Sequence, residues 1–148
     1  MRPILQALVL ADHVYTDRVT GKNIIAGTFH GVLFSRKKPI KEVELPDRSK
    51  HALMLGGVQS GSPYLYMSLT DVCEGTKLQL QFVNLTKNAV LLGTEIRVDS
   101  KDRLQTIEVV LPLPALPIQE PGSYSLEVLC EGEILGSHRL KVEEVEFG

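Results

Sequence analysis

The chain has 148 residues, of which 43 % are hydrophobic and 23 % charged, and its formal net charge is −2. These values are typical of a folded globular protein and argue against a disordered chain. A net charge so close to zero supplies no general basic surface, so we expect neither nucleic acid nor an anionic membrane as a partner. The length suits one domain, and no shift in composition marks a boundary within 1–148.

The first residues raise the question of a signal peptide, because Arg2 precedes an apolar stretch at 3–11. Gln6 interrupts that stretch and no A-x-A cleavage pattern follows it, so we expect no cleavage. No apolar run approaches the roughly 20 residues of a membrane helix. Two cysteines, Cys73 and Cys130, allow at most one disulfide, which a domain of this size does not need. We therefore expect a cytoplasmic protein and leave the pairing of the cysteines open.

In chain order, the first elements are two apolar strands at 4–15 and 23–34, folded back on each other around a turn that ends in Gly21. Strand 4–15 is apolar on both sides, which indicates a strand covered on both faces or in contact with another chain. Leu78, Leu80 and Phe82 alternate with polar residues, as in a strand with one dry face. Further strands are predicted at 52–58, 64–72, 77–85, 89–98, 104–111, 123–130 and 134–143, with a short tenth inside 39–45.

Two features near the end indicate how these strands are connected. The stretch 111–118 carries three prolines, so it cannot be a central strand and suits an extended crossover from one sheet to the other. The sequence Pro121-Gly122-Ser123-Tyr124 resembles the tyrosine corner of immunoglobulin-like sandwiches, in which the hydroxyl bonds to backbone a few residues upstream. The chain has no Trp, so the likeness is to the architecture alone. We predict an all-β fold: an antiparallel β-sandwich of about eight to ten strands, immunoglobulin-like in architecture.

The start of the chain also carries a family resemblance. Residues 7–15 (ALVLADHVY), 20–22 (TGK) and 25–29 (IAGTF) resemble the beginning of a family of small uncharacterised bacterial proteins, known only as a domain of unknown function. The likeness is sharpest over 7–34. It implies a small, stand-alone bacterial protein with a β-sandwich fold, and it implies no activity, catalytic residue or cofactor.

Asp12, His13 and Tyr15 form the candidate functional cluster, since they group an acid, a base and a phenol in four residues. The plainer interpretation is that the Asp12 side chain ties down a neighbouring strand, and that Asp17 and Lys22 form a cross-strand charge pair.

A metal site is not predicted. In the hairpin register that the turn favours, His13 lies opposite Ala26 and His30 opposite Val9, which separates the two histidines by about 13 Å along one face. One zinc ion cannot bridge that distance. No HxH, HExxH or CxxC spacing occurs, and no G-x-S-x-G elbow marks a nucleophile, so we predict no cofactor.

A local basic group of Arg36, Lys37, Lys38 and Lys41 is the candidate contact loop. Acidic residues interleave with it and no aromatic residue is placed to stack on a base, so a solvated loop or a protein contact is favoured over nucleic acid.

Two functional hypotheses follow. The first is a non-enzymatic interaction or assembly module that binds a protein partner or a second copy through its surface. The second is an enzyme or small-molecule binder with a site built from distant loops around Asp12, His13 and Tyr15. A sandwich fold alone does not choose between them.

Overall fold

The structure is a computed structural model that describes residues 2–35, 50–54 and 62–144. That part of the chain folds into ten strands in two sheets, which confirms the predicted all-β sandwich. Within the same ranges, no helix is long and apolar enough to cross a membrane. The strands are β1 (Ile4–Thr16), β2 (Asn23–Thr28), β3 (Gly31–Ser35), β4 (Lys50–Met54), β5 (Tyr64–Thr70), β6 (Thr76–Asn84), β7 (Ala89–Val98), β8 (Ile107–Pro112), β9 (Gly122–Cys130) and β10 (Glu133–Glu144).

The two sheets differ in size. The smaller has four strands in the order β2-β1-β5-β8, and the larger has six in the order β4-β3-β10-β9-β6-β7. Neighbouring strands are antiparallel except that β3 runs parallel to both β10 and β4. The prediction of an antiparallel sandwich is therefore right for most pairs and wrong for these two. The predicted short strand inside 39–45 lies outside the described residues, as does the second half of the strand predicted at 52–58.

The predicted second strand at 23–34 is two strands that belong to different sheets. Strand β2 pairs with β1, whereas β3 pairs with β10 and β4. Near the end of β2, Gly27 has φ near 75°, and between β2 and β3 the side chain of Phe29 is buried in the core. Burial of Phe29 in the core draws the chain across from the smaller sheet to the larger. This crossing also brings β3 alongside β10 in the parallel direction.

The core lies between the inner faces of the two sheets, where alternate side chains of each strand meet. On β1, Leu10 lies opposite Leu65 of β5, and both side chains are fully buried. Gly136 on β10 lies so close to β1 that a side chain at this position would overlap Leu5. The largest fully buried side chains are Tyr124, Phe29, Phe82, Leu10, Leu65, Met67, Leu69, Leu78, Ile118, Leu140 and Val32.

The proline-rich stretch after β8 is the predicted crossover. Strand β8 lies at the edge of the smaller sheet, and β9 lies within the larger one. Between them, Leu116 and Ile118 are buried against the core. The prolines thus occupy an extended connection in which their missing N–H groups break no sheet ladder.

Tyr124 makes the bond expected of a tyrosine corner. Its hydroxyl donates to the carbonyl oxygen of Glu120 at 2.8 Å, four residues upstream. Its ring stacks on Phe82 with centroids 5.5 Å apart. Burial raises the pKa of Tyr124, so the hydroxyl stays protonated and remains a donor at neutral pH. This bond fixes the chain where it enters β9.

We expect Tyr124→Phe to lower the free energy of unfolding by about 1 kcal/mol, because it removes one partly buried hydrogen bond and keeps the ring. Urea denaturation followed by far-UV circular dichroism measures the change. Tyr15→Phe, on an exposed tyrosine, is the matched control and should leave the midpoint unchanged. Equal stability of Tyr124→Phe and the wild-type protein would contradict a stabilising role for this bond.

Candidate functional site

The outer face of the four-stranded sheet carries a group of aromatic side chains. On β1, His13 and Tyr15 point away from the core, because Leu10 and Val14 on the alternate positions are buried. On β5, Tyr64 lies opposite Ala11 and Tyr66 lies opposite Val9, so their rings emerge on the same outer face. We call this surface, formed by His13, Tyr15, Tyr64 and Tyr66, the aromatic face.

The rings of the aromatic face touch one another. The ring of His13 lies between two tyrosines, with its centroid 4.3 Å from that of Tyr15 and 4.3 Å from that of Tyr64. Tyr15 is 53 % exposed, so this stack has one open end. Beside it, Ile24 of β2 lies opposite Tyr15 and is also half exposed. The result is a shallow apolar surface with polar ring atoms along it.

A charged group borders the aromatic face at β8. The hydroxyl of Tyr66 donates a short hydrogen bond to the carboxylate of Glu108. Burial, and then the neighbouring Glu108 carboxylate, raise the pKa of Tyr66. The hydroxyl therefore stays protonated at neutral pH and holds the carboxylate at the rim of the face. Chemically, the arrangement offers ring surfaces, hydroxyl groups and one carboxylate to a bound molecule.

The structure brings His13 and Tyr15 together but places Asp12 apart from them. Strand alternation turns the Asp12 side chain to the other side of β1, where its carboxylate lies against Gly27 of β2. A substituent on Gly27 would overlap that carboxylate. Asp12 thus packs against the neighbouring strand, as the plainer interpretation of the sequence proposed. A single ligand on the aromatic face would not reach all three residues.

Of the two predicted histidine positions, that of His13 is confirmed and that of His30 is wrong. His13 lies opposite Ala26, as predicted. His30 does not lie opposite Val9, because β2 ends at Thr28 and the chain leaves the sheet there. His30 instead stacks on His138 of β10, with ring centroids 4.9 Å apart.

His138 is buried and faces backbone. Its Nε2 lies 2.8 Å from the carbonyl oxygen of Phe29. Burial lowers the pKa of His138, and the stacked His30 lowers it further. The neutral ring therefore links the strands around the Phe29 crossing.

The remaining sequence candidates have simpler surroundings. Asp17 and Lys22 are joined through backbone, since Asp17 N donates to Lys22 O at 2.8 Å, and the Asp17 carboxylate accepts from the N–H groups of Val19 and Thr20. The basic candidates Arg36, Lys37, Lys38 and Lys41 lie outside the described residues.

The cysteines are both free thiols. Burial raises the pKa of the Cys130 thiol, which disfavours the thiolate that a nucleophile needs. Among the residues in the described ranges, no three His, Cys, Asp or Glu side chains gather in a geometry that could hold a metal ion.

Sequence reasoning missed Tyr64, Tyr66 and Glu108 as members of the surface. One signal was present, because Tyr64 and Tyr66 alternate with the apolar Leu65 and Met67 and so share the side that faces away from the core. What the sequence does not contain is the pairing of β5 with β1, which are separated by more than 40 residues. That pairing alone brings Tyr64 to His13.

A model of a protein family matches residues 59–143, which is more than half of the chain. The chain belongs to the family of unknown function DUF6941. The match covers β5 to β10 of the DUF6941 chain almost completely, and so includes Tyr64, Tyr66 and Glu108. The N-terminal pattern at 7–34 lies outside the matched residues. No curated protein matches the chain.

The titration of His138 predicts the pH dependence of stability. Because its pKa is lowered in the folded state, the unfolded chain binds more protons as the pH falls through the ordinary value near 6.5. The free energy of unfolding should therefore fall between pH 7.5 and pH 5. Urea midpoints at both values measure this.

His138→Gln should flatten this pH dependence, whereas the control His13→Gln, on the aromatic face, should leave it as steep as in the wild-type protein. Because the stacked His30 lowers the pKa of His138, His30→Gln should flatten the dependence in part. A wild-type slope that His138→Gln leaves unchanged would contradict this assignment.

The contact between Asp12 and Gly27 gives a second prediction about stability. Gly27→Ala should lower the free energy of unfolding by about 1–3 kcal/mol, because alanine is strained at positive φ and its side chain overlaps the Asp12 carboxylate. Urea denaturation measures the loss.

Gly21→Ala is the matched control, since Gly21 has a similar φ but nothing lies within 4 Å of the added carbon. It should cost less than Gly27→Ala. In an Asp12→Ala background, Gly27→Ala should also cost less than in the wild-type background. An equal cost in both backgrounds would show that the overlap contributes nothing.

Proposed function

We propose that the protein is a non-enzymatic interaction module that binds a partner protein through its aromatic face. The observation that carries this proposal is the stack of His13 between Tyr15 and Tyr64, open at Tyr15. Tyrosine is enriched at the energetic centres of protein interfaces, because it buries a large rigid area and keeps a hydroxyl for hydrogen bonding.

The packing of the rings favours recognition of a partner without rearrangement. His13 is held on both sides, so little side-chain freedom is lost when a partner covers it. Tyr66 is held by its bond to Glu108 in the same way. Because these side chains are already ordered, less conformational entropy is lost when a partner binds.

The surroundings of the polar groups support binding over catalysis. A general base must reach a reacting proton, yet the His138 ring is buried and bonded to the backbone of Phe29. Asp12 lies on the opposite side of β1 from His13, so the two do not form an acid–base pair on one face. The hypothesis of a catalytic group at Asp12, His13 and Tyr15 therefore has less support than the interaction module.

The test compares capture by matched variants. Immobilised wild-type protein, Tyr15→Ala and Ile134→Ala are exposed to an extract of the native host, and the intact complexes are weighed by native mass spectrometry. Tyr15 is 53 % exposed and Ile134 on β10 is 56 % exposed, so the two changes remove similar amounts of accessible surface. Melting curves establish that each variant is folded.

We expect Tyr15→Ala to reduce recovery of a specific partner at least about tenfold, as truncation of an interface hot spot does. Ile134→Ala should leave recovery unchanged. A complex whose mass is twice that of the chain would identify the partner as a second copy. Equal recovery by both variants would show that the aromatic face does not carry the interaction.

A further inference from the structure

A second surface lies at the edge of the sandwich, where the two sheets end unequally. Between β7, at the edge of the larger sheet, and β8, at the edge of the smaller one, a groove of about 450 Å³ opens to the outside. Leu80, Phe82 and Leu126 of the larger sheet line it from β6 and β9. Its walls are Leu92, Thr94 and Ile96 of β7, and Leu111, Leu113 and Leu116 from β8 and the segment after it.

Strand β7 is incompletely covered by the smaller sheet, which ends at β8. On the inner side of β7, the groove residue Leu92 remains 36 % exposed. Large apolar side chains at the rim of a core are stabilised when another apolar group covers them. A fifth strand in the smaller sheet, beside β8, would lie over this position.

The backbone groups and apolar side chains around the groove indicate what kind of ligand it would bind. Within the described residues, β7 and β8 each pair with one neighbour, so each has one row of backbone N–H and C=O groups without a strand partner. An aliphatic ligand would cover the leucines but would form no hydrogen bonds with those backbone groups. An extended peptide satisfies both, since its backbone pairs with the strand edge and its alternate side chains enter the groove.

The position of the groove favours β8 over β7 as the strand with which a peptide would pair. A peptide beside β7 would extend the larger sheet and leave the groove open. A peptide beside β8 would extend the smaller sheet and place its inward side chains against Leu92 and Ile96. Strand β8 runs from Ile107 to Pro112 without a bulge against β5, and its only proline is its last residue, so five successive residues keep their N–H groups.

We propose that this groove binds an extended segment of a partner protein, with apolar side chains at alternate positions, as an added strand on β8. The lining is apolar apart from the hydroxyl of Thr94 and backbone, so a charged side chain pointing inward would be excluded. The proposal does not depend on the aromatic face, because no residue is shared by the two surfaces.

The probe is a labelled peptide of nine residues. Its central seven residues have Val, Leu and Val at the second, fourth and sixth positions and Ser or Thr at the others, and a lysine stands at each end. Two comparison peptides isolate the recognition. One has the same composition with the three apolar residues adjacent, and the other is N-methylated at its central backbone amides. Fluorescence polarisation measures binding to the full chain, and hydrogen exchange measures protection of the β8 amides.

Leu92→Lys places a charge on the groove wall, and Leu104→Lys is the matched control on an 89 % exposed leucine in the connection between β7 and β8. We expect the alternating peptide to bind and to protect β8. Leu92→Lys and N-methylation should each weaken binding at least about tenfold, as charge burial and loss of strand hydrogen bonds do. Leu104→Lys and Tyr15→Ala should leave it unchanged, so this result is separate from the test of the aromatic face.

Several outcomes would overturn the proposal. Equal binding of the alternating and rearranged peptides would indicate unspecific apolar contact. Binding of a fluorescent fatty acid that Leu92→Lys abolishes, with no binding of any peptide, would assign the groove to an aliphatic ligand. A wild-type dimer that Leu92→Lys converts to monomer, again with no peptide binding, would assign it to a second copy.

Discussion

Leu8 and Leu10 of β1 lie opposite Met67 and Leu65 of β5, on the side of the smaller sheet that faces the larger one. The packing of these four side chains in the core determines which side chains lie on the outer face of the smaller sheet. Since side chains alternate along a strand, burying these residues sends His13, Tyr15, Tyr64 and Tyr66 outward. A slip of one residue between β1 and β5 would turn the aromatic rings into the core and the leucines into solvent. The core and the aromatic face are thus two consequences of one register.

The crossing at Phe29 has a comparable influence on the larger sheet. Because Phe29 is drawn into the core, the chain leaves the smaller sheet after β2 and supplies β3 to the larger one. His138 then bonds to the carbonyl group of Phe29, which ties β10 to the crossing. Strand β3 joins the larger sheet between β4 and β10, at the end away from β7.

Much of this fold could be predicted from the sequence, namely the parts whose conformation is determined by neighbouring residues. The turn at Gly21 fixed His13 opposite Ala26, the prolines of 111–118 marked a crossover, and the sequence around Tyr124 predicted its bond to upstream backbone. Each of these rests on residues within about a dozen positions of one another. The hairpin and the corner are stabilised locally, so their patterns are visible without the rest of the chain.

The errors come from contacts between distant segments. An apolar run at 23–34 is the same whether it stays in one sheet or crosses to another, so the break at Phe29 and the parallel pairing of β3 left no periodic signal. Asp12 and His13 are adjacent in the sequence, and successive residues of a strand point to opposite faces. Tyr64 was missed because only the pairing of β5 with β1 brings it to His13.

Strand β8 connects the two surfaces. It carries Glu108, which holds Tyr66 at the rim of the aromatic face, and it forms one wall of the groove through Leu111. A strand added to β8 would send its inward side chains into the groove and its outward ones to the side of the sheet where Glu108 lies. The same short strand thus contributes to a chemically distinct outer face and to an apolar edge of the sandwich.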